Sequence, residues 1–104
     1  MQILKGKNAI ITGGSKGIGK SVCLALAKAG ANIFVLDINK DESLRTVEEI
    51  SKLNVEAFFF PINVAEESEW IKFVNFLEVK NKSIDILVNN AGIWLGKEIN
   101  SVTI

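Results

Sequence analysis

One stretch of this chain has residue types and spacing that could do chemistry: residues 12–19, Thr-Gly-Gly-Ser-Lys-Gly-Ile-Gly. A short apolar run, Ala9-Ile10-Ile11, precedes it, and an alanine-rich stretch over residues 20–29 follows. That order predicts a strand, a tight glycine turn and a helix. A helix N-terminus presents unpaired N–H groups and a partial positive charge, so such a turn makes an anion site. Each glycine would have its own steric task. Gly13 permits the turn off the strand, Gly17 removes a side chain where backbone must approach a pyrophosphate, and Gly19 lets the helix pack closely on the sheet. The chemistry implied is binding rather than bond breaking. The spacing Gly-x-x-x-Gly-x-Gly differs from the commoner Gly-x-Gly-x-x-Gly, and a glycine turn before a helix also occurs for purely structural reasons.

Two further features fall where a nucleotide-binding βαβ unit would put them. Asp37 stands 18 residues after Gly19, at the end of the apolar run Ile33-Phe34-Val35-Leu36. An acid at that strand end can accept hydrogen bonds from the hydroxyls of an adenine ribose. Read by itself, Asp-Ile-Asn-Lys would also simply open a loop. The second feature is Asn89-Asn90-Ala91-Gly92, which ends another apolar run, Ile86-Leu87-Val88.

The elements that must position these residues alternate. Strands are expected over residues 7–12, 32–36, 55–60 and 84–90, with helices over 16–30, 41–53 and 66–79. Ala25, Ala27 and Ala29 give the first helix small residues suited to a sheet, and Gly30 stops it. Asn39 with Glu42 has the spacing of an N-cap and its reciprocal acid, Leu44, Val47 and Ile50 form an apolar face, and Asn54 ends that helix. Pro61 closes the third strand, because proline cannot donate to a ladder. Trp70, Phe73, Val74 and Leu77 recur at helical spacing as core, behind an acidic first turn. The order βαβαβαβ predicts a three-layer, Rossmann-like α/β fold with a parallel sheet in strand order 3-2-1-4. The first two helices would cover one face and the third the other. The glycine turn then lies at the switch point between the first and fourth strands, where such sheets bind ligands.

Composition narrows the function classes. With 104 residues the chain makes one small domain, and 48% hydrophobic residues favour folding over disorder. Twelve basic and twelve acidic residues cancel, which argues against a nucleic-acid partner. The absence of histidine argues against zinc and imidazole chemistry. The single Cys23 cannot form an internal disulfide and is expected as a buried thiol. No apolar run reaches membrane-spanning length, and residues 1–7 lack a signal peptide's apolar core, which makes the cytoplasm the expected location.

Residues 12–19 and 89–92 together resemble the short-chain dehydrogenases/reductases. Members carry Thr-Gly-x-x-x-Gly-x-Gly after the first strand and Asn-Asn-Ala-Gly after the fourth, and the resemblance runs over residues 7–104. It implies a nicotinamide dinucleotide as cofactor; the Asp37 carboxylate, which would repel a 2′-phosphate, sets the expectation of NAD over NADP, while Lys16, just before Gly17, pulls the other way. Gly13 would shape the turn, and Ser15, Lys16, Gly17, Ile18 and Gly19 would line the cofactor phosphates and adjacent ribose. Asp37 would hold the adenosine ribose, Asn63 and Val64 would flank adenine, and Asn89, Ala91 and Gly92 would pass close to the cofactor. Thr12 would tie the glycine turn to the second motif, and Asn90 would brace the sheet. The family usually has aspartate where Asn63 stands; asparagine keeps an acceptor oxygen but loses the charge.

Family members transfer hydride between a nicotinamide and an alcohol or carbonyl, using a tyrosine and a lysine four residues on. This chain contains no tyrosine, so it is read as a partial dinucleotide-binding domain over residues 1–104, truncated after the fourth strand and inactive alone. A nucleotide-binding or interaction module without turnover, or a non-functional truncation, remains the alternative. The fourth strand would be an unprotected edge, through which self-association is expected.

Overall fold

A computed structural model describes residues 2–63 and 66–90. The elements alternate as the sequence requires: β1 (Asn8–Thr12), α1 (Gly17–Lys28), β2 (Asn32–Asp37), α2 (Lys40–Ser51), β3 (Ala57–Pro61), α3 (Glu67–Val79) and β4 (Ile86–Asn89). The four strands form one parallel sheet in the order β3-β2-β1-β4.

Side chains alternate across the sheet, and the alternation sorts them into two cores. Ala9, Ile11, Ile33, Val35, Ile86 and Val88 meet Cys23 and Ala27 of α1 and Ile50 of α2 on one face. Ile10, Phe34, Leu36 and Leu87 meet Phe73 and Leu77 of α3 on the other. The second core is aromatic: Phe34 lies 4.9 Å from Phe58, and Phe73 lies edge-on to both Phe34 and Phe60. Phe34 and Phe73, which are fully buried, each contribute on the order of 2–3 kcal/mol by leaving water, and Phe58 and Phe60, partly buried, contribute less.

Several local expectations need correction. Leu44 is 48% exposed, whereas Ser43 and Thr46 are buried beside Ile50. Val47 and Ile50 pack on the core as expected, so the inward stripe of α2 is shifted only partway off its apolar arc, towards the glycine turn that Thr46 bonds. Val74 is exposed as well, and Phe76 takes the inward place beside Phe73 and Leu77. In α1 the inward positions are Gly19, Cys23 and Ala27, four residues apart, and Ala25 faces outward. Pro61 belongs to β3 and pairs with Asp37; β3 is an edge strand, so the missing N–H interrupts no ladder. Asn39 caps α2 as expected, its Oδ1 accepting from Glu42 N–H at 3.1 Å, but Glu42 pairs with Arg45 instead of reaching back.

The amino ends of the strands are closed by a polar belt. Asn8 Nδ2 donates to Ser83 O at 2.8 Å, Asn32 Nδ2 donates to Asn8 Oδ1 at 3.1 Å, and Glu56 N–H donates to Asn32 Oδ1 at 3.0 Å. Asp85 Oδ2 accepts from Asn8 N–H at 2.9 Å. Lys82 pairs with Glu56 at the rim.

Candidate cofactor site

At the carboxyl ends of the same strands the backbone leaves the sheet through the glycine turn. Gly13 N–H donates to Leu36 O at 2.8 Å, which extends the β1–β2 pairing one residue past the strand. The turn is also held from the β4 side. The Thr12 hydroxyl donates to Asn89 Oδ1 at 3.1 Å, with Val88 O at 3.4 Å, as the expected tie between the two motifs. Asn90 Nδ2 donates to Gly13 O at 3.1 Å, so Asn90 braces the turn rather than the sheet.

Gly19 is where the helix comes closest. A Cβ there would collide with the Gly13 carbonyl oxygen and crowd Asn90 Nδ2. The absent side chain thus lets α1 sit on the turn itself, a tighter constraint than packing on the sheet. Gly14, to which the sequence reading gave no role, is similarly confined: a Cβ would lie 3.0 Å from Cys23 Sγ. Cys23 is buried, and that burial pushes its thiol up to about 12, so it stays protonated and inert at neutral pH.

Gly17 is different. Its φ is +62°, a conformation that side-chain-bearing residues rarely adopt, and a Cβ there would meet nothing within 4 Å. The first turn of α1 therefore opens onto free space. Lys16 occupies the N-cap position with extended backbone and makes no side-chain cap bond, and the first turn carries no acid. Lys16, Gly17 and Ile18 are exposed, Ile18 by 76%. The result is a set of main-chain donors at the positive end of a helix dipole, with no side-chain cap among the described residues. That arrangement fits the phosphates of a dinucleotide.

Asp37 flanks this cradle. Its Oδ2 accepts from the Ser15 hydroxyl at 2.6 Å and from Ser15 N–H at 3.3 Å, and its Oδ1 accepts from Asn39 N–H at 2.9 Å. Ser15 is only 1% exposed, so its hydroxyl faces Asp37 instead of open solvent. Behind it, the Thr46 hydroxyl donates to Ser15 O at 2.7 Å. Thr46 was not legible as a site residue; its only signal is a small polar residue one helical turn from Ser43 on the buried face of α2.

Asn63 lies exposed just after β3. Its N–H approaches Glu69 Oε1 at 3.4 Å, and its carbonyl accepts from Glu66 N–H at 2.9 Å. The structure thus gathers Gly13, Ser15, Lys16, Gly17, Ile18, Gly19, Asp37 and Asn89 around one end of the sheet. Val64, Ala91 and Gly92 lie outside the described residues. Among the described residues no group of three metal-ligating side chains occurs, and no helix is long and apolar enough to cross a membrane.

Known proteins share this arrangement. A family model described as short chain dehydrogenase matches residues 7–103. An uncharacterized oxidoreductase of Escherichia coli, YgcW, is 46% identical over 90 residues, which is 86% of this chain and 34% of that protein. A solved 7α-hydroxysteroid dehydrogenase, complexed with NADH and 7-oxo glycochenodeoxycholic acid, superposes with a TM-score of 0.76 at 42% identity, covering 83% of this chain and 34% of that one. L-Sorbose reductase from Gluconobacter frateurii, complexed with NADPH and L-sorbose, gives a TM-score of 0.81 at 31% identity, covering 95% of this chain and 38% of that one. The chain spans about a third of the length of the curated relatives it matches.

Proposed function

The chain belongs to the short-chain dehydrogenase family as its nucleotide-binding half, and from that premise we propose that it binds NAD(H) in preference to NADP(H). The observation that carries the preference is the Asp37 carboxylate, fixed at both oxygens beside the open N-terminus of α1. The first turn of α1 would hold the pyrophosphate through its main-chain N–H groups, with Lys16 at the rim and Gly17 leaving the approach clear. Asp37 would accept from the adenosine ribose. Three protein donors already occupy three of the roughly four acceptor positions of a carboxylate, which leaves one for a ribose hydroxyl.

A 2′-phosphate at that place would bring like charges together. Two unit charges about 4 Å apart repel by roughly 4 kcal/mol at an effective dielectric near 20, an upper guide that solvent at this rim reduces. The expected preference is about tenfold to hundredfold, or about 1.4–2.8 kcal/mol. Asn63 and Val64 would flank adenine, and Asn89, Ala91 and Gly92 would pass near the cofactor. A bound nicotinamide supplies the hydride acceptor or donor for an alcohol–carbonyl interconversion. No side chain in this sequence matches the family's tyrosine acid/base group, so the 104 residues alone are assigned binding without turnover, as a partial dinucleotide-binding domain. A cytoplasmic location is part of the same proposal. The outer edge of β4, open among the described residues, supports self-association through that strand.

Titration calorimetry with NAD(H) and NADP(H) on the wild type and Asp37→Ala tests the reading. Tighter NAD(H) binding, with the preference lost in the variant, is expected. Equal or tighter NADP(H) binding by the wild type defeats it.

A further inference from the structure

Thr46 is fully buried in the middle of α2, two helical turns from its start, yet its hydroxyl leaves its own helix. A helical threonine ordinarily returns its hydroxyl to a carbonyl three or four residues back. Here it donates at 2.7 Å to Ser15 O in the glycine turn, 31 residues away in sequence. Ser15 is thereby held at three points: its carbonyl by Thr46, and its N–H and hydroxyl by Asp37 Oδ2. At 1% exposure, Ser15 has no water at hand to replace any of them.

We propose that Thr46 is a positioning residue for cofactor choice: by holding Ser15 from behind, it fixes the Asp37 carboxylate in the orientation that admits a free ribose hydroxyl and rejects a 2′-phosphate. The inference rests on the reading of Asp37 given above. Its physical basis is the difference between a charge that is present and a charge that cannot move. A free aspartate at a strand end can rotate about its Cα–Cβ bond and relieve a nearby phosphate. Asp37 is tied on Oδ1 by Asn39 N–H and on Oδ2 by a serine that is itself tied to α2. Removing the Thr46 hydroxyl leaves the buried Ser15 carbonyl without its donor, frees the turn to shift, and loosens the Oδ2 side of the clamp. Thr46 is too deeply buried to meet a ligand, so its effect must pass through Ser15.

The experiment uses the 104-residue chain and two readouts. The first is the ratio of NADP⁺ to NAD⁺ dissociation constants by calorimetry for the wild type, Thr46→Val, Thr46→Ser and Asp37→Ala. Thr46→Val keeps shape and loses the hydroxyl; it is expected to lower the NAD⁺ preference by about threefold to tenfold, and Thr46→Ser to restore it within about twofold, the span of one hydrogen bond. Should the valine variant not fold, Thr46→Ala removes the same hydroxyl with a better helix former. The second readout needs no cofactor: NMR scalar couplings across the Asp37 Cα–Cβ bond. They are expected to report one rotamer in the wild type and Thr46→Ser, and averaging in Thr46→Val. An unchanged preference and a single Asp37 rotamer in Thr46→Val, beside a collapsed preference in Asp37→Ala, overturns the proposal. A wild type that binds neither cofactor, or shows no preference for Asp37→Ala to remove, instead overturns the reading of Asp37 and the specificity claim with it.

Discussion

Asp85 and Asp37 stand near opposite ends of the same parallel sheet, and their surroundings differ in one respect. At the amino end Asp85 accepts from the β1 backbone, and Asn8 and Asn32 pass hydrogen bonds from Ser83 through to Glu56. Strand is bonded to strand, and the belt faces itself. At the carboxyl end Asp37, Ser15, Asn89 and Asn90 make a comparable number of bonds, but these hold a turn in place around a helix N-terminus with no side-chain cap among the described residues. Similar residue types thus close one end of the sheet and hold the other open. The difference comes from the glycines. Gly17 and Gly19 let the backbone come forward and α1 sit down on the turn, so main-chain donors, not side chains, are left facing outward.

The sharpest way to break the open end is Gly19→Ala. The added methyl has to displace the Gly13 carbonyl, to which Asn90 is bonded. We expect a loss of about 2–3 kcal/mol in stability, which for a domain of this size lowers Tm by roughly 10 °C or more, together with loss of measurable cofactor binding. Retained binding would place the phosphates elsewhere. Asn8→Ala is the counterpart at the closed end. It removes the donor to Ser83 O and the acceptor for Asn32 Nδ2, at a cost of about 2 kcal/mol in chemical denaturation, while cofactor affinity in the folded protein stays unchanged. An altered affinity would mean that the two ends are coupled. The smallest effect belongs to Ser43→Ala. The Ser43 hydroxyl is the one buried side-chain polar atom among the described residues with no hydrogen-bond partner. Its removal is expected to leave stability unchanged or raise it by up to about 1 kcal/mol in the same denaturation measurement. A loss above that range would show that Ser43 has a bonded role.

Much of the open end was legible in the sequence, because glycine spacing and a strand-end acid report backbone geometry directly. Gly13, Gly17, Gly19, Asp37 and Asn89 come together where alternation of strands and helices places them. The strand order and the Asn39 cap follow from equally local rules. The phase of α2 was legible only in part. Val47 and Ile50 pack on the core as their spacing suggests, but Leu44 is exposed and Ser43 and Thr46 are buried, Thr46 against the Ser15 carbonyl. A hydrogen bond between residues 31 apart leaves no periodic trace. The surroundings of Ser15 were hidden for a related reason: its burial and its bond to Asp37 depend on the third dimension. Pro61 ends β3 inside the ladder only because that strand proved to be an edge.

The central claim, that one end of this sheet is built to bind and the other to close, is tested most directly by titrating NAD⁺ into isotope-labelled protein and mapping amide shifts by NMR. Saturable shifts are expected at Gly13, Ser15, Gly17, Gly19, Asp37 and Asn89, with Asn8, Asn32, Glu56, Ser83 and Asp85 unmoved. Shifts centred on the second group, or none at either end at saturating cofactor, would contradict it.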